Sequence, residues 1–521
     1  MKRSSSFLIL FVLLTILLSA CQNKTVKIPA DVQAGDIFLQ ECTYKIEGKK
    51  QSAQCGTLLV PENRALSNSR LIPLPIIVVP PANADLNNIP IFWLEGGPGQ
   101  SNLKFNIPGW MHENFPVVMV GYRGMDGETQ MQCPELRKAL GQDQLPALSS
   151  EAINLNRKAL TDCTTRLTNA GFDLSAYNIA ETIQDMENAR TALGYDQINL
   201  FSVSYGTRLA QFYSQNFPTL VAHNLMVSVN PPGHFVWDPQ QIDSQLAYYN
   251  QLCQADPYCA NQTSDLTQSI RSVFENMPQR WLFFHIDPDK VKMGFFALLF
   301  QRDTAVVGFD AILRAEQGDE SGLFLLSMAA DQMIPNLGAW GHFYAMGSAD
   351  YTPDYDYFNQ LNPPDSIIGS PLSVQIWAPS DGWAIFSVDK KYTQLQPSDV
   401  ETLMISGNVD FSTPAENAMN ELLPLLTNGH QVVLKELGHA GDVINTQPEA
   451  FRQLAFGFYH NGSIDDSAFQ YAPMQFNPKF SLTSFAKILI ALPFILILLV
   501  GMIVWLIIRR KSYKKMLKAV Q

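Results

Sequence analysis

The chain reads as an α/β protein: a sheet domain with flanking helices, a mainly helical insertion, and an apolar helix near the carboxyl end. Three observations predict this. Short apolar runs alternate with amphipathic stretches from residue 37 to 229 and again from 402 to 435, the rhythm of strands feeding helices. Between them, from Phe235 to Pro397, the alternation lapses into an aromatic stretch with a helical pattern. Lastly, Ile488 to Ile508 gives 21 residues without a charge, enough at 1.5 Å per residue to cross about 30 Å of hydrocarbon.

The amino end has Lys2-Arg3, a 12-residue apolar stretch from Phe7 to Leu18 and then small residues, which predicts an export signal over 1–20. Leu18-Ser19-Ala20-Cys21 has the form of a bacterial lipobox, predicting cleavage before Cys21 and acylation of its sulfur; a plain secretory signal with an incidental cysteine is the alternative. Ile37 to Lys45 and Cys55 to Val60 predict an opening hairpin, and Ile72 to Val79 a third strand ended by Pro80-Pro81. Ile91 to Leu94 is a buried strand leaving through Glu95-Gly96-Gly97-Pro98-Gly99, and Pro116 to Val120 is the next. Asn178 to Gly194 is an amphipathic helix, with Ile179, Ile183, Met186, Ala189 and Leu193 at spacings of three and four. It feeds the strand Ile198 to Val203, a helix from Thr207 to Phe217 and a strand from Val221 to Val229.

These elements divide the exported body into a first sheet portion (21–234), a helical cap insertion (235–397) and a second sheet portion (398–465) with strands at 402–406 and 431–435. A juxtamembrane linker (466–487), a transmembrane helix (488–508) and a basic cytoplasmic tail (509–521) follow. The Arg509-Arg510-Lys511 stop puts the tail in the cytoplasm and the body on the periplasmic side of a bacterial envelope.

The formal charge of −12 hides an asymmetry. Without the eight basic residues at the two ends, 28 basic face 48 acidic side chains, so the body repels nucleic acid. Six cysteines besides Cys21 (Cys42, Cys55, Cys133, Cys163, Cys253 and Cys259) form an even set, which in an exported protein reads as disulfides. Proximity favours 42 with 55, 133 with 163 and 253 with 259, although other pairings stay open. No cysteine or histidine spacing suggests zinc, and neither metal nor cofactor is expected.

The chemistry centres on Ser202-Val203-Ser204-Tyr205-Gly206, where a strand turns sharply into a helix. This is the layout of a nucleophile elbow of G-x-S-x-G type, with Ser202 in place of the first glycine. Asp410 follows the strand at 402–406 and His439 the strand at 431–435, giving the chain order Ser, Asp, His. A serine becomes a nucleophile when a neutral imidazole takes its proton, and a carboxylate fixes that imidazole's tautomer. The glycine turn at 96–99 would let backbone N–H groups reach a substrate oxygen.

At this point residues 50–460 resemble the tripeptidyl aminopeptidase and prolyl aminopeptidase group of α/β-hydrolases, the peptidase family S33 type. The matching pieces are Glu95 to Gly99, Tyr122-Arg123-Gly124 running on to Cys133-Pro134, Leu193-Gly194-Tyr195, Ser202 to Thr207, Asp410 to Pro414, and Gly438-His439. The resemblance implies an α/β-hydrolase fold, Ser204 as nucleophile, Asp410 as acid, His439 as base, and an oxyanion hole from the N–H groups of Tyr205 and Gly97. It also implies a small peptide substrate whose amino group is held by carboxylates, for which Glu316, Asp319, Glu320, Asp331, Asp354 and Asp356 are candidates. Departures from the prolyl branch at Glu95 and Gly121-Tyr122 bear on substrate rather than fold. The expectation is a membrane-tethered serine exopeptidase; an ester hydrolase on the same triad, or a non-catalytic binding protein on this scaffold, are the alternatives.

Overall fold

The computed structural model describes residues 31–83, 88–142, 145–352, 354–384, 386 and 388–519. The predicted signal (1–20) and Cys21 lie outside them. Among the described residues, nine strands form one sheet in the order β1-β2-β3-β5-β4-β6-β7-β10-β11. β1 (Ile37–Ile46), β2 (Lys49–Pro61) and β3 (Leu71–Val79) run antiparallel, and β3 pairs antiparallel with β5 (Val117–Val120). From there β5, β4 (Ile91–Leu94), β6 (Ile198–Val203), β7 (Val221–Val227), β10 (Thr402–Gly407) and β11 (Gly429–Leu434) are parallel.

The central strands are apolar on both faces because helices cover both sides of a parallel sheet. Successive side chains point to opposite faces. Phe92, Leu94 and Leu200 pack with Ile183 and Met186 of the helix Ile179–Ala192 and with Leu209 and Phe212 of the helix Tyr205–Asn216. Ile91, Trp93 and Phe201 pack on the other side with Phe451, Leu454 and Phe458 of the helix Pro448–Asn461. Asn178 caps its helix by accepting from the Glu181 N–H. Tyr122-Arg123 is structural: the fully buried Arg123 makes a bidentate pair with Asp185, 2.7 Å at each contact, and also donates to the carbonyls of Pro61, Glu62 and Ala176.

The stretch between β7 and β10 is helical, from Pro239–Ala255 to Pro371–Trp377, with one short hairpin of β8 (Arg280–Trp281) and β9 (Phe284–His285). Two features differ from the sequence reading. Helices Pro134–Leu140 and Ser150–Asn169, assigned by position to the sheet portion, place Leu136, Leu160 and Leu167 in the core of this insertion. Their amphipathic pattern shows that a face is buried without saying against what. The segment 466–487 is also no free linker. Met474 and Phe476 are buried in the insertion's core, and Glu436 accepts from the Met474 N–H and the Tyr471 hydroxyl.

Disulfides join Cys42 to Cys55 across β1 and β2, Cys133 to Cys163, and Cys253 to Cys259. The chain closes in one long helix, Leu482–Ala519, containing a stretch apolar and long enough to cross a membrane.

Candidate active site

Ser204 stands between β6 and the helix Tyr205–Asn216 with φ 53° and ψ −125°, a conformation that L-residues avoid. Two close approaches hold it there. A Cβ on Gly206 would lie 2.2 Å from the Leu94 carbonyl oxygen, and a Cβ on Gly96 would lie 2.9 Å from the Ser204 Cβ. Both positions therefore require glycine. Ser202 fits because its hydroxyl, fully buried, donates to the Leu225 carbonyl of the next strand at 3.3 Å. The missing first glycine of the motif is thus accommodated by one hydrogen bond.

The His439 Nδ1 and the Asp410 Oδ2 are 2.8 Å apart. Asp410 is fully buried, and its other oxygen accepts the Ser412 and Thr413 N–H groups at 2.8 and 2.9 Å. The Thr413 hydroxyl adds a bond to Oδ2 at 2.8 Å. These donors fix the carboxylate's orientation and compensate its burial. The His439 N–H donates to the Phe300 carbonyl at 2.6 Å, so a residue of the insertion sets the histidine loop.

Ser204, Tyr205, Gly97 and His439 line one cavity of about 330 Å³. Its remaining wall is mostly apolar, with Phe235, Trp237, Phe300, Leu337, Phe343 and Ile376 from the insertion. No sequence pattern marks this wall, because aromatic residues in helical stretches fill cores as readily as cavities. Of the six carboxylates proposed as amino-group ligands, none lines it. Asp319 pairs with Lys487, Asp331 with Lys290, and Asp354 and Asp356 face a separate cavity with Tyr351 and Tyr355. Glu95 serves its own turn, accepting from the Trp93 indole at 3.1 Å and the Gly96 N–H at 3.0 Å. Among the described residues, no group of three or more His, Cys, Asp or Glu is placed to hold a metal ion.

The glycine turn is clasped from above by the insertion. The Gly99 N–H donates to His342 Nδ1 at 2.9 Å, and the Ala339 N–H donates to the Gly99 carbonyl at 3.0 Å. The Gln100 side-chain amide adds a bond to the Leu337 carbonyl. Burial pulls the His342 imidazole down from 6.5 to about 3, so it is neutral and can accept. Its ring stacks on Tyr122, centroids 6.2 Å apart. Because the unfolded chain binds a proton at this histidine below pH 6.5 and the folded chain does not above about 3, folding stability falls as pH drops through that window. The slope from this residue is about 1.4 kcal/mol per pH unit at most. A His342→Gln variant should lose less Tm than the parent between pH 7 and 4.5, read by calorimetry on both proteins.

A second clasp is ionic. Arg208, on the helix that starts at Ser204, reaches Asp350 of the insertion at 2.7 Å, both side chains almost fully buried. Its other nitrogen donates to Asn230 Oδ1 at 2.5 Å and the Pro231 carbonyl at 2.8 Å, while the Phe235 N–H donates to Asp350 Oδ2 at 3.0 Å. Asp350→Ala leaves a buried guanidinium uncompensated, and a loss of about 3–5 kcal/mol in urea unfolding is expected.

A sheet with this strand order, an elbow serine and a histidine–aspartate pair beyond its last strands make up the α/β-hydrolase fold. In agreement, residues 90–289 match the family model of the alpha/beta hydrolase fold. The chain is moreover similar to the tripeptidyl aminopeptidases of Streptomyces lividans and Streptomyces coelicolor. It is 26% identical to each over 211 residues, 37% of this chain and 39% and 38% of those proteins. The chain thus spans about two fifths of the length of the relatives it matches. Solved structures covering most of the chain include a serine hydrolase of Cycloclasticus zankles (14% identity, TM-score 0.35, 79% of this chain and 100% of that one). The epoxide hydrolase CorEH is another (12%, TM-score 0.34, 81% and 99%).

Proposed function

We propose that the protein is a membrane-tethered, extracytoplasmic serine hydrolase, an aminopeptidase that acts on short peptides through an acyl-enzyme. The observation that carries this reading is the 2.8 Å contact of His439 with the buried Asp410, on a cavity shared with the elbow residue Ser204. In the proposed cycle the Ser204 hydroxyl attacks the carbonyl carbon of the scissile bond while His439 takes its proton. The oxygen gains negative charge facing the N–H groups of Gly97 and Tyr205; the latter opens a helix, where no intrahelical acceptor competes. His439 then protonates the leaving amine, and a water molecule repeats the steps in reverse to free the acid. Asp410 accepts the imidazole's Nδ1–H and so fixes the ring's tautomer and orientation.

The similarity to tripeptidyl aminopeptidases favours peptides. Three disulfides favour an oxidising compartment, and the apolar terminal helix favours a membrane anchor. The apolar cavity wall favours acyl groups with apolar side chains.

One observation favours an ester substrate instead. Among the described residues no acidic side chain lines the cavity, and an ammonium group placed there would lose hydration without a paired charge. Purified full-length protein assayed on tripeptidyl amides with free amino ends, the same amides with blocked ends, and acyl esters separates the readings. Preference for free-ended amides is expected. Ester turnover with no amide turnover would replace the peptidase reading, and no fluorophosphonate labelling of Ser204 would refute both.

A further inference from the structure

The β8–β9 hairpin and the root of the terminal helix share one face of the insertion. The hairpin is closed by Leu282 and Phe283, which are 64% and 71% exposed. Two-residue hairpin loops favour Gly, Asn or Asp because they need positive φ. Here Leu282 adopts φ 55°, so the backbone bears an unfavourable conformation with two large apolar side chains in solvent. Phe283 touches its neighbour Phe284, centroids 4.3 Å apart, yet both tip side chains stay mostly in solvent. The residues beside them are packed: Trp281 and Phe284 lie on Phe324 of the helix Ser321–Met333, with centroids 5.5 and 4.7 Å away.

That same helix carries the start of the terminal helix. Ser321 donates to the Thr483 carbonyl at 3.3 Å, and a Cβ on Gly322 would meet the Thr483 hydroxyl at 2.9 Å. Ser481 donates to Asp310 at 2.8 Å, and Lys487 pairs with Asp319. Hairpin and helix root are therefore mounted within one helical turn of each other. Phe480 and Phe485, both exposed and with ring centroids 5.4 Å apart, lie just before the uncharged run.

We propose that the Leu282–Phe283 tip inserts into the outer surface of the lipid bilayer beside the terminal helix, so that the insertion, not the sheet, faces the membrane. This rests on the reading of the terminal helix as a membrane anchor. Continuity with that helix argues for lipid over another protein, since any bilayer crossed by 488–508 begins next to this tip. The exposed Arg280 and His285 at the hairpin's base suit a headgroup layer.

The test uses the full chain with Phe283→Cys, Leu498→Cys or Glu41→Cys, each labelled with an environment-sensitive fluorophore and reconstituted in phosphatidylethanolamine–phosphatidylglycerol vesicles. The parent chain gives the labelling background of Cys21. The label at 283 should lose intensity to lipids bearing a nitroxide near the headgroup and resist aqueous iodide, while the label at 41, on the edge strand β1, does the reverse. Iodide quenching at 283 with lipid quenching at 498 would overturn the proposal and leave the anchor standing. Iodide quenching at both would overturn the anchor as well.

Discussion

Ser204→Ala is expected to lower kcat by about 10⁶-fold, the order seen when the nucleophile of a hydroxyl–imidazole–carboxylate unit is deleted. The size of the effect follows from how the residue is held. Its positive φ is sustained by Gly206 pressed on the Leu94 carbonyl and by Gly96 pressed on the serine itself, so no neighbouring hydroxyl can take its place. Alanine removes one oxygen and keeps the Cβ that these contacts enclose, so the fold should persist. Residual activity, measured with the most reactive substrate, should come from the anion pocket and binding alone. A variant retaining a tenth of the parent's rate would remove Ser204 from the mechanism, and an unchanged thermal transition would show that the loss is chemical.

The next largest effect is expected for Asp410→Asn, a loss in kcat of about 10⁴-fold. Asparagine fits the same space, but its amide can present a donor toward His439 Nδ1 and favour the wrong tautomer, leaving the proton on the nitrogen that should accept from serine. The Ser412 and Thr413 N–H groups that now point at Asp410 Oδ1 favour keeping an oxygen there, which turns the NH₂ toward the histidine. Binding of substrate should change little, so the loss belongs in kcat with KM nearly unchanged. Equal losses in both would show that Asp410 shapes the cavity and does not govern a proton.

Much of this organisation was legible because period and punctuation agree. The strands at 72–79 and 91–94 are apolar runs, the strand at 198–203 is mostly so, and the helix after Asn178 carries both its cap and its stripe. The catalytic candidates were legible because each follows a strand in a fixed order. What could not be read is tertiary partnership. Leu136 and Leu160 show an apolar face that fits either the sheet or the insertion, and only the chain's path decides. The carboxylates near residue 320 looked available in sequence, but Asp319 is committed to Lys487, more than 160 positions away. His342 gave no signal, since one histidine among aromatic residues does not announce that a glycine turn donates to it.

The buried bond between Arg208 and Asp350, together with the His342 contact, also bears on which molecules can reach the serine. A roof riveted to the floor at both contacts does not swing open as a door, because doing so would strand a guanidinium in apolar surroundings. Passage is then through fixed gaps, and a chamber of about 330 Å³ admits a slender chain end but not a folded domain. If the proposed peptidase activity holds, intact proteins would have to be cut by other enzymes first, leaving the short, frayed products for this chamber.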